Sequence, residues 1–200
     1  DFDPAKHTVP DDQLTEMDRG ILGKFSKLEA EVMGTWRTVE ESDDSARQGA
    51  YDRYEFHVVY QKGSQVIAVE LSSQYHDFVK DRLYPVRYGT EYRRSTQTAL
   101  YRLVTGLCRM LSPILAFTAD EAWESIPLRT TESVHTSTWC PEGCENKHED
   151  IWNVLLEWRG KVLPELEKAR QAKILGRALE AKVLLPFLGK SSEFGTLDVC

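Results

Sequence analysis

The sequence predicts a mainly α-helical bundle with a small α/β tail at its C-terminal end. Two observations carry this. Apolar residues recur at three- and four-residue steps over several long stretches, the spacing of a helix with one buried face. Apolar residues make up 41% and charged residues 28% of the 200-residue chain, proportions of an ordinary soluble globular protein. No run of about 18 apolar residues exists, so no membrane-spanning helix is expected. The first residues, DFDPAKHTVP, resemble neither a signal peptide nor a transit peptide. The absence of a starting Met points to a fragment or a processed chain.

The elements follow in order. Asp11 and Asp12 after Pro10 predict a helix start, because carboxylates favour the positive end of the helix dipole. Leu14, Met17, Ile21, Phe25, Leu28, Val32, Trp36 and Val39 then mark one amphipathic helix of seven or eight turns. A second helix is expected from near Tyr51 to about Lys62, with a local strand reading open for the β-branched run VIAV. A third covers LSSQYHDFVKDRLY, and PVRYGTEY reads as a turn. The strongest segment is RRSTQTALYRLVTGLCRML. At about 100° per residue, Leu100, Leu103, Val104, Leu107 and Leu111 cluster toward a core. Arg94, Arg102 and Arg109 fall on the opposite side as a solvent-facing stripe.

LSPILAFTADEAW, residues 111–123, predicts a corner. Pro113 ends the preceding helix. Thr118 and Glu121 have the spacing of a capping box for the next one. Ile114, Leu115 and Phe117 are expected to plug the gap between helices. Residues 128–147 read as a loop region, with SVHTSTW extended. Ile151, Leu155, Trp158, Val162, Leu166 and Ala169 mark a late helix to about Lys173, kinked at Pro164 and stopped by Gly176. LEAKVLLPFL reads as a short strand. The expected division is a helical domain over 1–127, a loop region over 128–147, and a helix plus strand tail over 148–200.

Net charge is −7, which argues against a generic nucleic-acid binder. Its distribution says more: residues 80–109 hold 7 basic and 2 acidic residues. One basic island in an acidic protein can guide a polyanion to one face. Four cysteines, Cys108, Cys140, Cys144 and Cys200, are too sparse for a disulfide framework and fit a reducing compartment. Cys140, Cys144 and His148, with His135 nearby, approach a zinc spacing. However, Cys-x3-Cys is less typical than Cys-x2-Cys, and no fourth ligand is evident.

DFDPAKH, YEFH at 54–57, YHDFVKDRLY, RRSTQTALYRL, LSPILAFTADEAW, SVHTSTW and KILGRALEAKV stand in this order along the chain. Together they resemble the anticodon-binding region of isoleucyl-tRNA synthetase, a class I aminoacyl-tRNA synthetase, over most of the chain. KDRLY with DFDPAKH favours the isoleucyl over the valyl and leucyl members. SSQYHD, GRALEA and Pro164 depart from the family's pattern.

The resemblance implies the helical bundle of that family, tRNA(Ile) as partner, a monomer, cytoplasmic location and no membrane. It also implies that ATP and Mg act in a separate catalytic domain, with no cofactor, metal or catalytic residue in this segment. No His-x-Gly-His occurs, and KFSK at 24–27 mimics a Lys-Met-Ser-Lys-Ser loop only because Phe25 lies on an apolar stripe between two lysines. The chain alone should therefore be inactive.

The candidate tRNA-binding residues are Lys80, Arg82, Arg93, Arg94, Arg102 and Arg109, with Arg87 in the same island. Arginine forks suit phosphate oxygens, although a solvated helix face has the same composition. Tyr88, Tyr92 and Trp36 are candidate platforms for unstacked bases, or packing residues. Arg159, Lys161, Lys168, Arg170 and Lys173 interleave with glutamates and read mainly as ion pairs along an exposed helix. The residues by themselves leave open a helical protein-interaction domain meeting an acidic partner, and a small metalloenzyme built on the 140–148 loop.

Overall fold

The computed structural model describes residues 2–34, 48–84, 90–138, 149–176 and 180–183. It forms two compact units, Asp1–Trp152 and Asn153–Cys200. Among the described residues all regular structure is helical. The strand expected at LEAKVLLPFL falls mostly on residues outside the described ones, and residues 181–183 have no regular structure.

Helix α1 (Pro4–His7) is capped by Asp3, which accepts from Ala5 N. Asp11–Gln13 make a single 3₁₀ turn, so the acidic pair precedes the long helix and does not start it. That helix, α2 (Glu16–Met33), starts at Thr15, whose hydroxyl accepts from Asp18 N. It ends at Gly34, where φ is 83°, a conformation that glycine adopts without a Cβ penalty. The expected seven or eight turns thus shorten to about five, and Trp36 and Val39 lie outside the described residues.

Helix α3 (Phe56–Gln65) passes into a π-helical stretch, Val66–Tyr75, then into α4 (His76–Val79) and a 3₁₀ turn, Lys80–Leu83. The two helical segments expected here are one continuous rod. VIAV is helical because Val66 and Leu71 are drawn into the core, and burial outweighs a weak β preference. Helix α5 spans Thr90–Leu111, so Thr90, Glu91 and Tyr92 are helical where a turn was expected. Helix α7 (Glu149–Gln171) keeps Pro164 inside it. It stops at Lys173, which has a φ of 58°, while Ile174 N donates to Ala169 O at 3.0 Å. Gly176 is not the stop.

The core of the first unit lies between α2, the α3–α4 rod and α5. Ile21, Phe25, Leu28 and Val32 of α2 meet Val59, Leu71, Tyr75 and Val79 of the rod and Ala99, Leu103 and Met110 of α5, all buried. Gly106 lets α5 approach α2: a Cβ there would sit 2.5 Å from Phe25 Cε1. Trp152 packs on Gly20, 3.2 Å from where a Cβ would stand, and edge-on to Phe78 at 6.0 Å. A second cluster joins Cys108 of α5 to Ala119, Trp123, Ile126 and Val134.

At the centre of the bundle sits a buried carboxylate. Asp18 is fully buried and accepts from four hydroxyls. Tyr75 Oη donates at 2.6 Å, Thr15 Oγ1 at 2.7 Å and Thr96 Oγ1 at 3.3 Å, and Ser95 Oγ is the fourth donor. Ser95 Oγ itself accepts from Thr15 N at 2.8 Å. A carboxylate leaves water only when its lone pairs are satisfied, so Ser95 and Thr96 must face inward.

That requirement corrects the leucine-lined core expected for α5. The inward face is Ser95, Thr96, Ala99, Leu103, Gly106 and Met110. Leu100, Leu107 and Leu111 are half-buried, and Val104 is 41% exposed. The core direction is turned by roughly 80° around the helix toward the arginine side.

The corner after α5 also differs from expectation. Helix α6 (Ala116–Glu124) starts two residues before Thr118, with Leu115 at the N-cap position and no side-chain cap. Thr118 and Glu121 are therefore not a capping box. Asp120 caps the following segment instead, accepting from Ser133 Oγ at 2.7 Å and Val134 N at 2.9 Å. These bonds hold its carboxyl below the usual range. Ile114 and Leu115 are substantially exposed and Phe117 is 92% exposed, so they do not plug the corner. SVHTSTW makes a 3₁₀ turn, Val134–Thr136, where an extended segment was expected.

Replacing Asp18 with Ala strands several buried hydroxyls, and charged hydrogen bonds are individually strong. Asp18→Ala should lower the unfolding free energy by about 3 kcal/mol in urea denaturation; a loss under about 1 kcal/mol would show that the network is dispensable. Burial pushes the Tyr51 phenol up to about 12. Burial, followed by the Asp18 charge, pushes Tyr75 well above its ordinary value. A raised folded-state value favours the neutral phenol in the fold. Stability should therefore be fully present below about pH 10 and fall as pH rises toward 12. Tyr75→Phe should flatten that fall, measured by urea denaturation at stepped alkaline pH.

Candidate nucleic-acid interface

The bundle has two ends, and hydrogen bonds define them. At one, Thr15 N donates to Ser95 Oγ, and Arg82 Nη1 donates to Thr15 Oγ1 at 3.2 Å. At the other, Tyr51 N donates to Val32 O at 3.1 Å, and Tyr51 Oη donates to Met110 O at 2.8 Å. Helix α5 runs between them, so Arg94 and Arg109 are separated by roughly 22 Å along its axis at 1.5 Å per residue.

The six predicted cations are spread along this axis. Lys80 is exposed and pairs with Asp77 at 2.7 Å, which raises its pKa. Arg82 folds back onto the bundle, donating to Thr15 and lying 5.7 Å from the Tyr92 ring centroid. Arg93 and Arg94 are half-buried at the same end, and Arg94 Nη1 donates to Gln97 Oε1 at 2.9 Å. Arg102, midway, pairs with Asp11 of the N-terminal arm. Arg109 stands at the far end with its guanidinium 5.2 Å from the Trp123 ring centroid.

The rotation of α5 explains this arrangement. Because the buried face turns toward the arginine side, Arg94, Arg102 and Arg109 are half-buried and engaged with other side chains. They are not an outward stripe. Val9 N also donates to Thr98 Oγ1 at 3.2 Å, so the N-terminal arm covers part of the surface expected to face solvent.

A cleft of about 220 Å³ opens at the Arg109 end, lined by Met33, Arg109, Ser112, Pro113, Val134, His135 and Ser137. Ser112 Oγ donates to Arg109 O at 2.9 Å and Ser137 Oγ to Val134 O at 2.6 Å. The His135 ring, through Nε2, lies 3.3 Å from Ala116 O, tying the 133–137 turn to the first residue of α6. Ser112 and Ser137 were not singled out from sequence, and His135 was considered only beside the cysteines. The signal was present in the hydroxyl-rich SVHTS stretch, which needs a partner for each short side chain. Asp120 supplies two of those bonds.

In the second unit, Lys161 pairs with Glu157, Lys168 with Glu165 and Arg170 with Glu167. These i,i+3 and i,i+4 pairs match the ion-pair reading. Arg87, Tyr88, Trp36, Cys140, Cys144, His148 and Cys200 lie outside the described residues. Among the described residues, no group of three or more His, Cys, Asp or Glu is placed to hold a metal. None of the helices they form is long and apolar enough to cross a membrane.

The geometry on its own defines a helical bundle with half-buried arginines along one long helix. A family model described as the anticodon-binding domain of tRNA ligase matches residues 45–185, and the chain belongs to that family. Within it, the chain matches a region of isoleucine–tRNA ligases. It is 38% identical to that of Syntrophotalea carbinolica over 187 residues, 92% of this chain and 19% of the relative. It is 35% identical to that of Sodalis glossinidius and 36% to that of Yersinia enterocolitica, each over 189 residues, 92% of this chain and 19% of the relative. The chain thus spans about a fifth of the length of these curated relatives.

Proposed function

We propose that this chain is the tRNA-holding part of an isoleucine–tRNA ligase working in the cytoplasm. It grips the anticodon stem and loop of tRNA(Ile) so that the acceptor end reaches a remote active site. The family match across residues 45–185 supports this reading most strongly. The arginines of α5 supply the chemistry. Their spread over roughly 22 Å suits successive phosphates of a folded RNA better than one small anion. The segment itself takes no cofactor; ATP and Mg belong to the adenylate-forming part of the longer enzyme.

Affinity that comes from phosphate neutralisation must fall with salt. With about four phosphate contacts, binding of a tRNA(Ile) transcript should weaken roughly a hundredfold between about 50 and about 200 mM salt. In filter binding, tRNA(Ile) should be preferred over a random RNA of equal length. Equal retention of both RNAs, or salt-independent binding, contradicts the proposal.

A further inference from the structure

We propose that Asp11 is a specificity-determining residue of the RNA-holding surface. Held against Arg102, its carboxylate keeps phosphates off the middle of α5 and disfavours RNA that lies flat along the whole helix, such as a continuous duplex. This rests on the tRNA-binding reading and goes beyond it by naming a residue that acts through repulsion.

The first observation is the pair itself. Asp11 Oδ1 accepts from Arg102 Nη1 across 91 positions of sequence, so the bond belongs to the fold and not to a local turn. The Asp11 side chain is 56% exposed and that of Arg102 24%. A strand approaching the middle of α5 therefore meets the carboxylate before the guanidinium. Asp12, next along the arm, is exposed as well and adds a second negative charge.

The second is that the arm is fastened on both flanks of this acidic pair. Val9 N donates to Thr98 Oγ1 at 3.2 Å, and Thr15 N donates to Ser95 Oγ at 2.8 Å. Those two hydroxyls are themselves fixed, Thr98 donating to Arg94 O at 2.8 Å and Ser95 to Asp18. Between the flanks, Gln13 N donates to Pro10 O at 3.0 Å and Leu14 is buried. A carboxylate on a loose arm would swing away from an incoming phosphate at small cost. One on a pinned turn keeps its charge in place.

The third is distance. Along the axis of α5, Arg102 stands roughly 12 Å from Arg94 and roughly 10 Å from Arg109. Exposed charges are screened over about 8 Å at physiological ionic strength. The Asp11 charge is thus felt at Arg102 and largely screened at the two ends of the helix. Such a surface suits a folded RNA whose backbone turns between two contacts. A straight duplex presents its phosphates in an unbroken row and must set some of them against the carboxylate. Like-charge contact of this kind discriminates by weakening the wrong partner more than the right one.

The test measures fluorescence anisotropy of labelled tRNA(Ile) and of a blunt RNA duplex across a salt series. Asp11→Asn should tighten duplex binding about threefold and steepen its log–log salt dependence by about one unit. Binding of tRNA(Ile) should change by less than about twofold. Arg102→Gln alone should leave the salt slope for tRNA(Ile) unchanged; added to Asp11→Asn, it should abolish the gain for the duplex. A pair with a merely structural role would shift thermal stability and leave both salt slopes alone. The Asp11 side chain supports no packing, so Asp11→Asn stays folded and carries the test even if Arg102→Gln melts early. A wild-type chain that binds tRNA(Ile) while Asp11→Asn gains no duplex affinity, or gains equally for both RNAs, overturns this assignment alone. A wild-type chain that binds no tRNA overturns the functional reading and this assignment with it.

Discussion

The buried carboxylate of Asp18 is the constraint around which the rest of the bundle is arranged. It draws one hydroxyl from the cap of α2, one from the end of the π-helical stretch and two from the first turns of α5. Each of those elements is thereby fixed in rotation as well as position. An apolar core tolerates helix rotation of some tens of degrees by repacking, but a carboxylate satisfied by four hydroxyls does not, because losing one donor leaves a buried charge short. Gly106 reinforces the same register further along α5, where only a missing Cβ admits Phe25 and Glu29.

The placement of the arginines follows from that rotation. Had α5 buried its leucines, its arginines would have stood in water on long mobile stems. Turned toward Asp18, it half-buries them and gives each a neighbour: Gln97 for Arg94, Asp11 for Arg102, Trp123 for Arg109. Half-buried arginines lose less conformational freedom on meeting an anion, and their stems contribute packing as well as charge. The opposition differs along the helix. The middle arginine is paired with a carboxylate, whereas Arg109 lies against an aromatic ring beside a cleft.

Much of this was legible in the sequence and some was not. The helices of α2, α5 and α7 were evident because their apolar spacing is regular over many residues. The basic island was evident because charge is local. What periodicity missed was polar burial. Ser95 and Thr96 look like surface residues until Asp18 is known to lie opposite them, 77 and 78 positions away. The corner misled for a related reason. Thr118 and Glu121 have capping-box spacing, but Asp120, between them, serves the later Ser133–Val134 turn, and the helix begins at Ala116 without a side-chain cap. Phe117 looked like core because it is aromatic, yet it is 92% exposed.

The most direct test of the claim that this segment grips the anticodon arm along α5 is photo-crosslinking of tRNA(Ile) carrying 4-thiouridine in the anticodon loop, followed by tryptic mapping of the attached peptides. The account predicts that the dominant crosslinks fall on the first unit, on peptides bordered by the arginines of α5. Crosslinks confined to the second unit, or no more abundant than with a random RNA of equal length, would contradict it.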